Sequence, residues 1–299
     1  AFLGPRRHYR TMISKEDILA LDARDPVAKF RTRFALPEGV VYLDGNSLGA
    51  LPKAAAARAR SVIVGEWGNG LIRSWNDADW LGLPAKVGDK LGQFIGAAPG
   101  EVVACDSTSV NLFKLLSAAF ALRPGRRVLL TDNDNFPTDN YVAEGVAAFL
   151  DGKVECRVLP AEEILSAIDK DVAVVSLTQV NYRTGRIYDM AEISAAATEM
   201  GALSLWDLSH STGAIPVDLN GAGADLAVGC GYKYLNGGPG APAYVFVPKR
   251  YQQVIRQPIS GWMGHAEPFE FAGAFRPAPG IDCMLSGTPP VIALALLEC

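Results

Sequence analysis

Between Glu101 and Val247 short apolar runs alternate with stretches of helical length, and no other feature limits the fold of this chain as strongly. Val102–Cys105, Arg127–Thr131, Val154–Leu159, Val172–Leu177, Ala202–Trp206, Leu226–Gly229 and Ala243–Val247 read as strands. Val110–Leu122, Thr138–Leu150, Ala161–Ile168 and Met190–Met200 read as helices between them. Strand–helix repetition of this kind predicts an α/β fold with a mostly parallel sheet covered on both faces. Ligands of such sheets sit at the carboxyl ends of the strands, so the chemistry is expected there. Ahead of this region the sequence predicts an arm with a helix around Lys15–Phe34 and a strand at Val40–Leu43. A helix opened by Pro52 and running to Glu66 follows, then a loop over Gly68–Trp80. The division expected is an arm and the start of a smaller domain over 1–50, a large domain over 51–270, and a connecting segment over 271–299. The final apolar stretch from Val291 reads as a helix cut short, with no capping signal and no polar tail.

Several function classes lose support at once. The net charge is −4 and no basic stripe is interleaved with aromatics, which argues against nucleic acid as a partner. No apolar run is long enough to span a bilayer, so no membrane partner is expected. The first residues lack the apolar core and cleavage site of a signal peptide, and Met12 reads as a natural start. Five cysteines are scattered without CxxC spacing, which suggests neither a zinc site nor a disulfide framework and fits a reducing cytoplasm. Neither GxGxxG after the first strand nor GxxxxGK[ST] is present, so dinucleotide and P-loop readings lack their main support.

Four segments at expected strand ends carry chemistry. In the first, an apolar strand runs into Tyr232-Lys233-Tyr234 and then a glycine-rich loop. Desolvation there would lower the pKa of Lys233 and free its amine as a nucleophile, and the glycines admit close backbone approach to a ligand. In the second, Asp207 ends a strand and His210 follows three residues later. A buried carboxylate stays ionised only with a cationic partner or several donors, and a protonated pyridine nitrogen is such a partner. In the third, Ser107-Thr108-Ser109 opens a helix, where free N–H groups and hydroxyls bind phosphate well. In the fourth, Phe136 stands at a strand-to-helix loop, placed to stack on a flat ring. Thr178 ends another strand, and Trp262 and Thr288 lie in later loops. Each has a plain alternative: a surface lysine, a turn-capping aspartate, a structural histidine, an N-cap, a staple residue. Together they form the inventory of a pyridoxal 5'-phosphate site.

The same segments carry a resemblance. YLDGNSLG (42–49), EWGNGLIRSW (66–75), STSVNLFKLLSAA (107–119), NFPTDNY (135–141), VNYRTG (180–185), LWDLSHSTGAIPVDL (205–219), GCGYKYLNGGPG (229–240) and SGWMGH (260–265) are similar to the kynureninase family. These are fold-type I pyridoxal phosphate enzymes related to the class V aminotransferases. The resemblance covers about Lys15 to Cys299, and DGNSLG, NGLIRSW and YKYLNGGPG separate the family from its class V relatives.

The resemblance implies the large domain of a fold-type I enzyme and a cytoplasmic homodimer with shared active sites. It implies that Lys233 binds the cofactor as a Schiff base, that Asp207 pairs with the pyridine nitrogen beside His210, and that Phe136 stacks on the ring with Asp139 and Thr178 in support. Thr108, Ser109 and Tyr232 would hold the phosphate, with Trp262 and Thr288 reaching the phosphate of the partner subunit's site. Asn46, Arg73 and Trp75 would lie toward the substrate, and Trp75 with Gly287-Thr288 resembles the bacterial pattern that prefers L-kynurenine to its 3-hydroxy form. The reaction implied is hydrolysis of L-kynurenine to anthranilate and L-alanine in tryptophan catabolism, with Lys233 as the base at Cα and Tyr232 as a proton donor. Family members extend well past the position of Cys299, and the arginine that binds the substrate carboxylate lies in that extension. The 299 residues by themselves are therefore expected to bind cofactor weakly and to turn over little substrate. Two other readings stay open from sequence alone: a cysteine desulfurase-like class V enzyme, and a non-catalytic dimer built on the same fold.

Overall fold

The computed structural model describes residues 13–299, so the reading of Met12 as a natural start lies outside the described residues. Its centre is a seven-stranded sheet. The short ladder β1 (Phe34–Ala35) with β2 (Leu51–Pro52) stands apart from it. The strands of the large sheet are β3 (Val102–Ala104), β4 (Val128–Asp132), β5 (Glu155–Leu159), β6 (Val172–Thr178), β7 (Leu203–Asp207), β8 (Leu226–Gly229) and β9 (Tyr244–Phe246), in the spatial order β3-β9-β8-β7-β6-β4-β5. β5, β4, β6, β7 and β8 pair in parallel, and β9 runs antiparallel to both its neighbours. β3 therefore points the same way as β8, and the carboxyl ends of six strands share one edge.

Every residue of β6, β7 and β8 is buried, as expected for strands covered on both faces. The helices are α1 (Lys15–Asp22), α2 (Lys53–Arg60), α3 (Ser74–Asp77), α4 (Leu83–Gly92), α5 (Thr108–Leu122), α6 (Pro137–Phe149), α7 (Met190–Met200), α8 (Lys249–Gln252) and α9 (Val291–Leu297). Two apolar clusters divide along the faces of the sheet. One gathers Leu91, Ile193, Ala197, Trp206 and Leu294 from α4, α7, β7 and α9, and the other Leu112, Leu115, Leu116, Ala143 and Val146 from α5 and α6. Local signals set the helix ends. Ser107 caps α5 by accepting from Val110 N, Asp189 caps α7 by accepting from Glu192 N, and Gly201 stops α7 at φ 74°.

Four expectations need correction. Val40–Leu43 forms no strand; its side chains are exposed, and no neighbouring strand takes up its backbone groups. Ala161–Ile168 contributes only the 3-10 turn Leu165–Ala167; Ile164 and Ile168 are buried on either side of it, while Leu165 is exposed. The helix expected over Lys15–Phe34 breaks after Asp22 and resumes as a 3-10 turn at Ala28–Arg33. The loop expected over Gly68–Trp80 is wound: α2 passes into a π-helical stretch, Ser61–Gly70, followed by a 3-10 turn and α3.

Candidate active site

The shared edge of the sheet brings the marked residues together. Register pairs Thr178 with Asp207 across β6 and β7, so the two side chains end neighbouring strands side by side. The chain after β8 turns at Lys233, closed by Asn236 N donating to Lys233 O at 3.0 Å. Asn236 takes the left-handed conformation this requires, at φ 57°. The DGNSLG segment docks onto that turn: Gly49 N donates to Tyr232 O at 2.8 Å.

A cleft of about 130 Å³ opens here, lined by Thr108, Ser109, Phe136, Thr138, Asp139, Asp207, Ser209, His210, Tyr232 and Lys233. Lys233 is 7% exposed, its Nζ 2.7 Å from His210 Nε2 and 5.5 Å from the centre of the Phe136 ring. Asp207 is 4% exposed and accepts at Oδ1 from Ser209 N at 2.7 Å. Burial pushes its carboxyl above the usual range, opposed by the Ser209 hydrogen bonds and the Lys233 ammonium. Asp139 stands higher still, through burial and the neighbouring Asp207 charge; Thr178 Oγ1 donates to it at 3.1 Å. Burial and the Lys233 charge push His210 down to about 4, so its imidazole is neutral at pH 7.

These residues fit pyridoxal phosphate. Asp207 is a buried carboxylate that no arginine or lysine reaches as an ion pair among the described residues, and a protonated ring nitrogen would complete it. His210 Nδ1 is buried without a hydrogen-bond partner, which a polar group of the ligand could supply. Three hydroxyls at the start of α5 stand beside its free N–H groups. The described residues gather no group of three metal-binding side chains, and no helix among them is long and apolar enough to cross a membrane.

Not every marked residue reaches the cleft. Thr178 stands behind it, bonded to Asp139. Trp75 and Trp262 meet each other instead, ring centres 6.5 Å apart, in a chain of aromatic contacts that continues to Trp80 and Phe269. Arg73 and Thr288 are exposed, and Asn46 is half-buried in the DGNSLG turn. Sequence reasoning missed Thr138 and Ser209, although both sit inside motifs it had marked. It also missed Tyr182, whose ring lies against His210 at 6.4 Å and meets Phe136 edge-on at 5.2 Å.

The aminotransferase class-V family pattern matches residues 83–298, and the chain belongs to that family. Among solved structures, the apo cysteine desulfurase of Thermococcus onnurineus NA1 superposes with a TM-score of 0.73 at 18% identity, covering 90% of this chain and 68% of the other. A lysine-to-alanine mutant of C-DES with glycine covalently linked to its PLP cofactor gives 0.74 at 17%, covering 90% and 72%. At such identities these likenesses establish the fold. Sequence goes further. The chain is 55% identical over 294 residues to the kynureninase of Burkholderia pseudomallei, an alignment that spans 96% of this chain and 70% of that protein. It belongs to the kynureninase family of hydrolases.

Proposed function

We propose that the protein hydrolyses L-kynurenine to anthranilate and L-alanine with pyridoxal 5'-phosphate held at Lys233. The observation that carries this reading is the convergence of Lys233, Asp207, His210 and Phe136 on one cleft at the sheet's carboxyl edge. Lys233 would hold the cofactor covalently, Asp207 would keep a proton on its ring nitrogen, and Phe136 would cover one ring face. Thr108, Ser109 and the N-terminus of α5 would hold the phosphate with Tyr232, while Asp139 and Thr178 fix Asp207 from behind. When bound, the cofactor supplies a sink for the electron pair left at the substrate's Cα.

The remaining chemistry belongs to the chain. Lys233 would be the base that takes the Cα proton and later returns it. His210, neutral at pH 7, accepts a hydrogen bond from Lys233 and so fixes the amine's position. Tyr232 is half-buried beside Lys233, and burial raises its pKa, which suits a group that keeps its proton until it donates it. Water adds to the γ-carbonyl before the Cβ–Cγ bond breaks. Asn46, Arg73 and Trp75 are the substrate-side residues of this reading, with L-kynurenine preferred to its 3-hydroxy form. Trp262 and Thr288 serve the partner's site in a cytoplasmic homodimer.

Two readouts test the proposal. Adding pyridoxal phosphate should produce a visible absorption band, and adding L-kynurenine should release fluorescent anthranilate and L-alanine in equal amounts above the background of Lys233→Ala. Sulfide released from L-cysteine with no anthranilate from L-kynurenine would overturn it, as would a protein that forms no band.

A further inference from the structure

Lys114 is fully buried, yet it carries a charge that the proposed reaction leaves unused. It sits on α5 near the second turn, and its stem runs back toward the helix start, as long helical side chains do. There Nζ donates to Asp106 Oδ2 at 2.6 Å and to Met284 O at 2.8 Å. Replacing such a pair with apolar residues of similar volume is often neutral or stabilising, so stability alone is a weak reason for it.

Its partner explains more. Asp106 immediately precedes the hydroxyl turn Ser107–Ser109 and holds the left-handed conformation at φ 48°. It lines a second, larger cleft with Ser107, Thr108 and Tyr232, and its side chain is 29% exposed beside the turn. The smaller cleft already contains Asp139 and Asp207; Lys233 is the cation lining it, and no arginine lines either cleft among the described residues. A phosphate arriving here meets a surplus of carboxylates.

We propose that Lys114 is a positioning residue for the anion-binding turn: from behind it neutralises and orients Asp106, and through Met284 it ties that turn to the segment carrying Thr288. The proposal rests on the reading of Ser107–Ser109 as the phosphate turn. Without Lys114, Asp106 becomes an unpaired negative charge beside the phosphate. Without both, the charge balance returns.

The test compares pyridoxal 5'-phosphate, pyridoxal and inorganic phosphate as ligands of the cofactor-free protein, with melting curves to confirm folding. Lys114→Met should weaken pyridoxal 5'-phosphate binding about 10-fold or more, while pyridoxal binding changes less than about 3-fold. Adding Asp106→Asn to Lys114→Met should restore most of the loss. Asp106→Asn alone should tighten inorganic phosphate, which keeps the proposal testable if Lys114→Met does not fold. A purely structural Lys114 would weaken both forms of the cofactor equally, with no rescue by the second substitution, and that pattern overturns the proposal; so does weaker phosphate binding by Asp106→Asn. If the wild-type protein does not prefer pyridoxal 5'-phosphate to pyridoxal, the phosphate turn itself has been misassigned, an outcome distinct from a missing Lys114 effect.

Discussion

Lys233 Nζ lies 2.7 Å from His210 Nε2, with the histidine ring against Tyr182 and tilted toward Phe136. The ammonium donates and the neutral imidazole accepts. Burial disfavours the charged ring, and the neighbouring Lys233 cation adds to this, so the pKa of His210 falls to about 4.

That depression makes the cofactor-free protein sensitive to mild acid. An unfolded histidine titrates near 6.5, so between that value and about 4 the unfolded chain binds a proton that the folded protein does not. The contribution of neutral His210 is complete above the unfolded pKa and is lost as pH falls through the window. The loss should amount to roughly 2–4 kcal/mol by pH 4. Urea unfolding at pH 7.5 and pH 4 would measure it, and His210→Gln should flatten the slope. An equally steep slope in that variant would show that other groups cause it.

Lys233→Ala removes the only side-chain amine that lines the cleft among the described residues. It should abolish the visible absorption band given by added pyridoxal phosphate and lower turnover by more than about 10³-fold. It also leaves His210 Nε2 without its donor and frees the ring from the lysine's charge. The histidine should therefore titrate higher in this variant than in the wild type, which NMR of the ring protons would detect.

How much of this was legible in the chain depended on burial. β6, β7 and β8 are apolar throughout because both faces are covered, and their ends could be placed within a residue or two, including Asp207 and Thr178. α5 starts two residues earlier than its apolar pattern suggests, since Ser107 caps it and Thr108 and Ser109 form its first turn. The helix expected to run to Glu66 covers most of the π-helical stretch Ser61–Gly70, but its end at 68–70 left no periodic signal, and neither did the approach of Tyr182 to His210. Tyr182 reaches the site through its loop, where Asn181 accepts from Arg183 N and Thr184 N, and such loop geometry has no period to read. The meeting of Trp75 with Trp262 depends on segments nearly two hundred residues apart, which local pattern does not encode.

Asp207→Asn should separate activity from stability. The amide cannot hold a proton on the cofactor's ring nitrogen, so kcat should fall roughly 10²- to 10⁴-fold, with a smaller change in KM. In the cofactor-free protein the same change removes a buried charge that has no ion-pair partner among the described residues and sits beside Asp139. Its melting temperature should stay level or rise. A lower melting temperature together with unchanged kcat would assign Asp207 a structural role instead.

Gly49 tests whether the DGNSLG segment sets the position of the lysine turn. A Cβ added there would lie 2.2 Å from Lys233 O, 2.5 Å from Asn236 Oδ1 and 2.7 Å from Asn236 Cα. Two of these are backbone atoms of the turn that holds Lys233, so the strain cannot be relieved by rotating a side chain. Either the 44–49 segment lifts away, breaking the Gly49 N bond to Tyr232 O, or the lysine turn shifts. Gly49→Ala should therefore destabilise by about 1–3 kcal/mol and weaken pyridoxal phosphate binding as well. Gly273→Ala, where a Cβ meets nothing within 4 Å, is the control and should change stability by less than about 0.5 kcal/mol. If Gly49→Ala binds cofactor as the wild type does, the segment packs on the turn without positioning it.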